Sequence, residues 1–325
     1  MSLSPPDDLA RRFRASLTSF VGEPAVISAN FGLAVSGGSD SLALLLLAAA
    51  ALPGRVAVAT VDHRFRPESQ GEATVVAEVC ARLGIAHDIL PLTWVPPRSN
   101  RQASARDARY DILAKWAQER GVGWLVTAHH TDDQAETLLM RLHRGSGVDG
   151  LAGIRPMRAL GDDLMLVRPL LTWRKSELGA VVAACGLTPV EDPTNTDPSH
   201  DRTGARAFLA ASADWPDRGR LAASADHLRE SSEALTWTTE ELLRSRVSDD
   251  GAALLLDVRS LPSELLRRLA LRMLQDFSPA AAVRGDDLAR ALDRLRTGDV
   301  VTLAGVVVRP GGDGWRFEPA PPRRS

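Results

Sequence analysis

Residues 31–52 read FGLAVSGGSDSLALLLLAAAAL, and the reading of this stretch decides the fold. Phe31 to Val35 is an apolar run of the kind that forms a short buried strand. Ser36-Gly37-Gly38-Ser39-Asp40-Ser41 is a tight loop, and Leu42 to Leu52, all Leu and Ala, predicts a buried helix. A glycine pair between strand and helix lets the backbone turn sharply and approach a ligand. The unpaired N–H groups of the helix then point at that ligand, where the helix dipole favours an anion. Strand, SGGSDS and helix together describe a phosphate cradle. Neither G-x-x-x-x-G-K-S/T nor G-x-G-x-x-G is present, and the loop has no lysine.

Ser-Gly-Gly-x-Asp-Ser at a strand–helix junction resembles the pyrophosphate loop of the ATP pyrophosphatases, the PP-loop superfamily, which split ATP into AMP and pyrophosphate. The competing reading is a Ser/Gly turn whose Asp40 only complements the helix dipole.

Around this stretch the first half of the chain alternates strand and helix signals. RVAVATVD (55–62) fits a buried parallel strand, 69–84 a helix closing on Gly84, AHDILPL (86–92) a strand, and 103–121 a helix with a glycine stop. GWLVTA (123–128) is a strand, 132–144 a helix, LMLVRPLL (164–171) a fifth strand, and Lys175 to Cys185 a helix. Such alternation implies an α/β fold with a doubly wound, mostly parallel sheet, whose ligands bind beyond the carboxyl ends of the strands. After about residue 210 the pattern changes. Residues 217–246 read as one long helix, 253–258 as a strand, and 262–277 and 285–298 as amphipathic helices. VVTLAGVVVRPGGDGWRFEP (300–319) reads as a hairpin turning at Pro310 to Gly314. The expected division is a catalytic domain over 1–212 and a smaller α+β domain over 213–325, beginning with the long helix.

Composition bounds the rest. The chain has 325 residues, 44% hydrophobic and 25% charged, which suits a globular protein with more than one domain. The longest apolar run, Leu42 to Leu52, is too short to span a bilayer, and the N-terminus carries no apolar signal core; a cytoplasmic protein is expected. Cys80 and Cys185 have no metal-ligand or disulfide spacing. All basic residues but Lys115 and Lys175 are arginines, and the net charge is −2. RNA contact would therefore rest on local arginine patches rather than on a basic domain.

Four further stretches could carry chemistry. In TAHHTDDQAETLLMRLHRGSGVDGLAG (127–153), Thr131 and Gln134 have capping-box spacing, and Asp132 and Asp133 fall in the first helical turn. Helix-dipole complementarity alone would explain the two acids. With His129 and His130, however, they lie just past a strand end on the sheet edge of SGGSDS. Their oxygens, with Asp40, could share a Mg²⁺ with ATP phosphates. VDHRFRPES (61–69) ends the second strand, either as a plain loop or as a wall for adenosine involving Asp62 and His63. In ARDARY (105–110), Arg106 and Arg109 share a helix face, suited to a solvated salt-bridged surface or to phosphate. EDPTNTDPSHDRTGAR (191–206) is too rich in Asp, Asn and Pro for regular structure and ends in Arg202 and Arg206.

Together AVSGGSDSLAL, VDHRFRPES, ARDARYDIL, AHHTDDQAETLLMRLHRGSGVDGLAG, RPLL (168–171) and EDPTNTDPSHDR resemble the tRNA(Ile)-lysidine synthetases, in that family's order across residues 31–206. After 206 the likeness is loose. Arg202 is followed by Thr203 where the family usually has Asn, a departure in the loop that would hold lysine or RNA. Longer members carry a third domain, so tRNA contacts are expected from the region after 206.

The resemblance implies an ATP-dependent ligase that joins free L-lysine to C2 of the wobble cytidine of CAU-anticodon tRNA(Ile) through an adenylated intermediate. It implies an ATP site at Ser36, Gly37, Gly38, Ser39, Asp40, Ser41, Asp62 and His63, and Mg²⁺ on Asp40, Asp132 or Asp133. Asp40, Asp132, Asp133 and His130 would be catalytic. Arg106, Arg109, Arg144, Arg202 and Arg206 would hold lysine or tRNA. A 2-thiocytidine-type relative would need cysteine chemistry that Cys80 and Cys185 do not suggest. A non-catalytic nucleotide- or RNA-binding module would gain little from so many acids beside a polyanion.

Overall fold

The computed structural model describes residues 3–62, 68–92, 101–189, 201–211, 215–279, 283–312 and 314–321. In chain order its elements begin α1 (Asp7–Val21), α2 (Glu23–Ser28), β1 (Phe31–Ala34), α3 (Ser39–Ala51), β2 (Val56–Asp62) and α4 (Glu68–Leu83). There follow β3 (Ala86–Pro91), α5 (Arg101–Glu119), β4 (Trp124–Val126), α6 (Thr131–His143), α7 (Val148–Leu151), β5 (Met157–Ala159) and β6 (Met165–Val167). Then come α8 (Lys175–Ala184), α9 (Asp201–Ala211), α10 (Arg218–Arg246), β7 (Val247–Asp250), β8 (Ala253–Asp257), α11 (Ser263–Phe277), α12 (Gly285–Arg296), β9 (Val301–Leu303), β10 (Val306–Gly311) and β11 (Gly314–Pro319). The chain forms two compact units, Met1–Arg229 and Glu230–Ser325, the division falling within α10.

The first unit is built on a six-stranded sheet of order β3-β2-β1-β4-β6-β5, parallel except for β5. β1 lies between β2 and β4, with Phe31 opposite both Val56 and Trp124. The chain winds outward from β1 in one direction, then returns to wind in the other, so the crevice between the ends of β1 and β4 is the topological switch point. Helix α3 is apolar all round and buried from Ser41 to Ala48, as a helix must be when sheet and helices cover it on every side; α1 and α8 pack on it. Phe13 and Leu17 of α1 and Trp173 complete that core. On the other sheet face Tyr110, Leu113 and Trp116 of α5 pack on Leu125 and Leu166. There a Cβ on Gly32 would come within 2.7 Å of the Trp116 ring, so only glycine lets α5 lie this close to β1.

Three expectations change. The edge strand β5 is an addition to the expected sheet, since three residues carry no period-2 signal. The segment 191–206, too polar on sequence grounds for regular structure, gives way to α9 at Asp201; residues 190–200 lie outside the described residues. Residues 300–319 form two turns rather than one. Ala304 and Gly305 both have positive φ and join β9 to β10 as a two-residue connection before the β10–β11 hairpin.

The second unit is an antiparallel sheet of order β7-β8-β11-β10-β9, with α11 and α12 supplying Leu269, Met273, Leu288 and Leu292 to a core shared with Val306 and Phe317. Among the described residues no helix is long and apolar enough to cross a membrane.

Candidate active site at the carboxyl edge of the parallel sheet

The loop after β1 is folded on itself. Ser36 donates its N–H to Ser41 Oγ (3.2 Å), Ser41 Oγ donates to the Gly38 carbonyl (2.9 Å), and the two hydroxyls lie 3.3 Å apart. Gly37 holds φ +91°, which an L side chain rarely adopts. A Cβ on Gly38 would meet nothing closer than 3.9 Å, the Ser36 hydroxyl, so the cradle is open where an anion would sit. Helix α3 starts at Ser39 rather than Leu42, which puts Asp40 in the first turn.

Across the switch point the segment from β4 to α6 brings its acids and histidines to Asp40. His130 Nε2 is 3.3 Å from Asp40 Oδ2 and 3.6 Å from Asp133 Oδ2. The His130 N–H donates to Asp133 Oδ2 at 3.0 Å, so the residue before the helix is the cap, not Thr131. Thr131 is otherwise engaged: its N–H donates to the Trp173 carbonyl and its hydroxyl to the Leu171 carbonyl, tying α6 to the segment after β6. Gln134 clasps the Ile154 backbone from both sides, accepting its N–H at 2.6 Å and donating to its carbonyl at 3.0 Å. A Cβ on Gly153, at φ +66°, would fall 2.5 Å from that amide. The glycine-rich run after α6 is thus pinned to the helix, with Arg141 donating to the Gly153 carbonyl as well.

Charges alternate through the site. Burial opposes a charge on His130, but its hydrogen bond to Asp40 and the nearby carboxylates of Asp133 and Asp132 outweigh it and hold the imidazole above its ordinary pKa. Burial likewise opposes charge on Asp133, yet His130, His129 and Arg202 hold its carboxyl below the usual range. His129 differs: burial drives its pKa down, the Asp133 carboxylate opposes this, and Arg168, Arg106 and Arg202 add to the fall. Its Nδ1 lies 3.0 Å from the Thr127 hydroxyl. Adjacent histidines are therefore shifted in opposite directions, His130 toward the charged form and His129 toward the neutral one.

Asp132 takes a different direction from its neighbour, since successive helical residues diverge. It accepts the Lys175 N–H (3.1 Å) and pairs with Arg218 (3.1 Å), and its nearest approach to His130 is 3.9 Å. From α9, Arg202 reaches Glu136 (3.1 Å) and Asp133 (3.7 Å), and Arg206 reaches Glu136 (2.7 Å). Glu136 is a site residue that the motif reading passes over, although it stands within HHTDDQAET; it is 5% exposed, and a glutamate on the buried face of α6 is the signal that points to it. Arg106 and Arg109 lie on α5 beside Tyr110, whereas Arg144 ends α6 and is exposed. Asp62 ends β2 on the same edge; His63 lies outside the described residues.

Among the described residues no group of three or more His, Cys, Asp or Glu is arranged to hold a metal by itself. Asp40 Oδ1 is nevertheless buried with no hydrogen-bond partner. A cation such as Mg²⁺, which usually takes one or two carboxylates and completes its shell with phosphate and water, fits that oxygen. Cys80 and Cys185 are both buried and free, and burial pushes the Cys80 thiol up to about 12.

Comparison with known proteins agrees with this geometry. Residues 9–212 match the PP-loop domain family. The fold resembles that of a U34-tRNA thiolase from Methanococcus maripaludis, with TM-score 0.53 and 16% identity over 70% of this chain and 78% of that one. The tRNA(Ile)-lysidine synthase of Zymomonas mobilis is 45% identical over 97% of this chain and 95% of its own length. That of Novosphingobium aromaticivorans is 44% identical over the same shares. On the PP-loop geometry and this near full-length identity, the chain belongs to the tRNA(Ile)-lysidine synthase family of PP-loop enzymes.

Proposed function

We propose that the chain is the ligase its family membership implies: it uses ATP to join lysine to C2 of the wobble cytidine of tRNA(Ile), giving lysidine, AMP and pyrophosphate. The observation that carries this reading is the meeting of Asp40, from the pyrophosphate loop, with His130 and Asp133, from the segment after β4, at the switch point of the sheet. In this reading the amine donor is free L-lysine and the target is the tRNA(Ile) with the CAU anticodon.

The chemistry requires two steps. The C2 carbonyl of cytidine is amide-like and a poor electrophile, so its oxygen attacks the α-phosphorus of ATP, an O–P bond forms, and pyrophosphate leaves. Ser36 to Ser41, Asp62 and His63 are assigned to ATP, with pyrophosphate in the SGGSDS cradle. Mg²⁺, assigned to Asp40 with Asp133 nearby, would neutralise phosphate charge. Asp132 is the weaker ligand candidate because Arg218 and the Lys175 N–H already occupy it.

In the second step the lysine ε-nitrogen forms the C2–N bond and the C2–O bond to the adenylate breaks, releasing AMP. At pH 7 that amine, with a pKa near 10.4, is neutral in only roughly one molecule in 2,500. Forgoing that factor costs about 4 to 5 kcal/mol, so a site that orients the ammonium and takes its proton in the transition state is needed. Asp133 is assigned this role. His130, which lies between Asp40 and Asp133, is assigned to fix both carboxylates in place. Arg202, Arg206, Arg106, Arg109 and Arg144 are assigned to the polyanionic substrates, and the second unit to part of the grip on tRNA. An anticodon base is already unpaired, so splaying it into the site costs little.

Incubation with ATP, labelled lysine and bulk tRNA tests the reading. ATP-dependent labelling confined to the CAU isoleucine tRNA is expected. ATP cleavage to AMP and pyrophosphate with no lysine transferred to any tRNA overturns it.

A further inference from the structure

Tyr110 is the only tyrosine of the chain, and it gathers arginines. The Arg158 guanidinium lies over its ring at 4.9 Å and that of Arg106 at 5.4 Å. Arg168, 3% exposed, donates from Nη1 to the Arg155 carbonyl, while its Nε is buried without a hydrogen-bond partner. Arg155 and Arg158 themselves are exposed, immediately before and within the edge strand β5. Among the described residues no carboxylate stands within ion-pair distance of Arg106, Arg155, Arg158 or Arg168. Burial is the main cause that depresses Arg168, and Arg106 and Arg158 add to it. Guanidiniums crowded this way repel one another and cost stability in the unliganded protein. The cluster reaches the active edge, since Arg106 and Arg168 also act on His129.

We infer that the Tyr110 cluster is a phosphate-backbone site for the RNA substrate on the first unit, with Arg155 and Arg158 contacting phosphates and Arg168 and Tyr110 positioning them. The inference rests on the proposed tRNA substrate. It adds Arg155, Arg158 and Arg168 to the arginines of the first unit that the family resemblance assigns to lysine or tRNA. Planar guanidiniums stacked on one ring are held in fixed orientation, which suits bidentate contact with phosphate oxygens. The phosphates of ATP are the competing source of the same chemistry.

The test is tRNA binding by R155Q/R158Q across a salt series, beside wild-type protein, with the KM for ATP measured at saturating tRNA. Both residues are exposed and their loss relieves the crowding, so the variant should melt no lower than the wild-type protein. The slope of log K against log salt should flatten by about 1.5, roughly 0.7–0.9 for each phosphate no longer neutralised. Binding should weaken about 10- to 100-fold at low salt, with the KM for ATP within twofold of wild type. An unchanged salt slope overturns the inference, and so does a rise in the ATP KM with tRNA binding intact. Should wild-type protein make no lysidine, the functional reading fails instead. As a second measure, R158K keeps the charge without the planar stack, and should recover most of the slope.

Discussion

In residues 230–325 guanidiniums stand beside carboxylates. Arg246 and Arg259 share Asp257, Arg267 and Arg268 share Glu264, Arg272 pairs with Asp276, and Arg309 and Arg316, cross-strand neighbours on the hairpin, share Glu318. Around Tyr110 in the first unit, Arg106, Arg158 and Arg168 stand beside one another instead. Residues 230–325 contain 15 carboxylates and 14 arginines, so nothing in composition alone favours either arrangement for the unit that follows residue 229. The difference teaches that an arginine count says little about polyanion binding. A guanidinium with its own carboxylate offers a phosphate little net attraction, whereas a crowded set lacking acids gains from one. On this ground the share of tRNA binding proposed for the second unit would rest on shape more than on charge.

The sharpest break between the units is in chemistry. Asp40→Ala should cut lysine transfer by at least about 10²–10³-fold while leaving the melting temperature within a few degrees; turnover close to wild type would remove Asp40 from the phosphate site. In the second unit, Leu269→Ala empties a fully buried position of α11. It should cost about 2 to 5 kcal/mol of local stability, with turnover per folded molecule kept at temperatures below the melt. Hydrogen exchange resolved by segment would report this, and a fall in turnover with protection intact would tie the second unit to the chemical step.

Acid should separate the units next. No histidine occurs after residue 227, so residues 230–325 should be indifferent to pH between 7 and 5. There Asp257 is held below the usual carboxylate range by hydrogen bonds from Arg259, Glu264 by Arg267, and Glu318 by Arg309. A carboxyl depressed in the native state stabilises above its unfolded pKa and ceases to do so as pH falls through the native one, so this unit should weaken only below about pH 4. In the first unit burial keeps His87 and His129 below the ordinary histidine range. The unfolded chain then takes up protons first, and stability should start to fall as pH drops through about 6.5. His130, raised, works the other way and moderates the fall. Exchange protection that declines together in both units would contradict this. The smallest effect is reserved for Arg309→Gln, an exposed pair with Glu318, which should leave the melting temperature of this unit and the salt slope of tRNA binding unaltered.

Much of this architecture is legible in the residues. Apolar runs with helical or strand spacing locate most elements of the first unit to within a few residues, because a parallel sheet buried on both faces leaves little freedom in its strands. SGGSDS locates the phosphate cradle, and HHTDDQAET with RGSGVDGLAG identifies the family. The misses have physical causes. β5 and β9 are three residues long, too short to carry a period, and exist only through their neighbours. The start of α9 is hidden behind a polar run rich in Asp and Pro.

What the sequence determined by itself was local: a strand, a glycine turn and an apolar helix at 31–52, and the types of acid and base available beyond them. The tertiary structure decided which of those groups meet. Asp133 turns to His130 and Asp40, while Asp132, one residue earlier, turns to Arg218. Glu136 becomes the anchor of two arginines from α9, some seventy residues away. Spacing along a chain fixes direction only within one helix or strand; the partner at the end of a side chain is set by how separate elements pack, and at this sheet edge that packing sorts equivalent acids into different tasks.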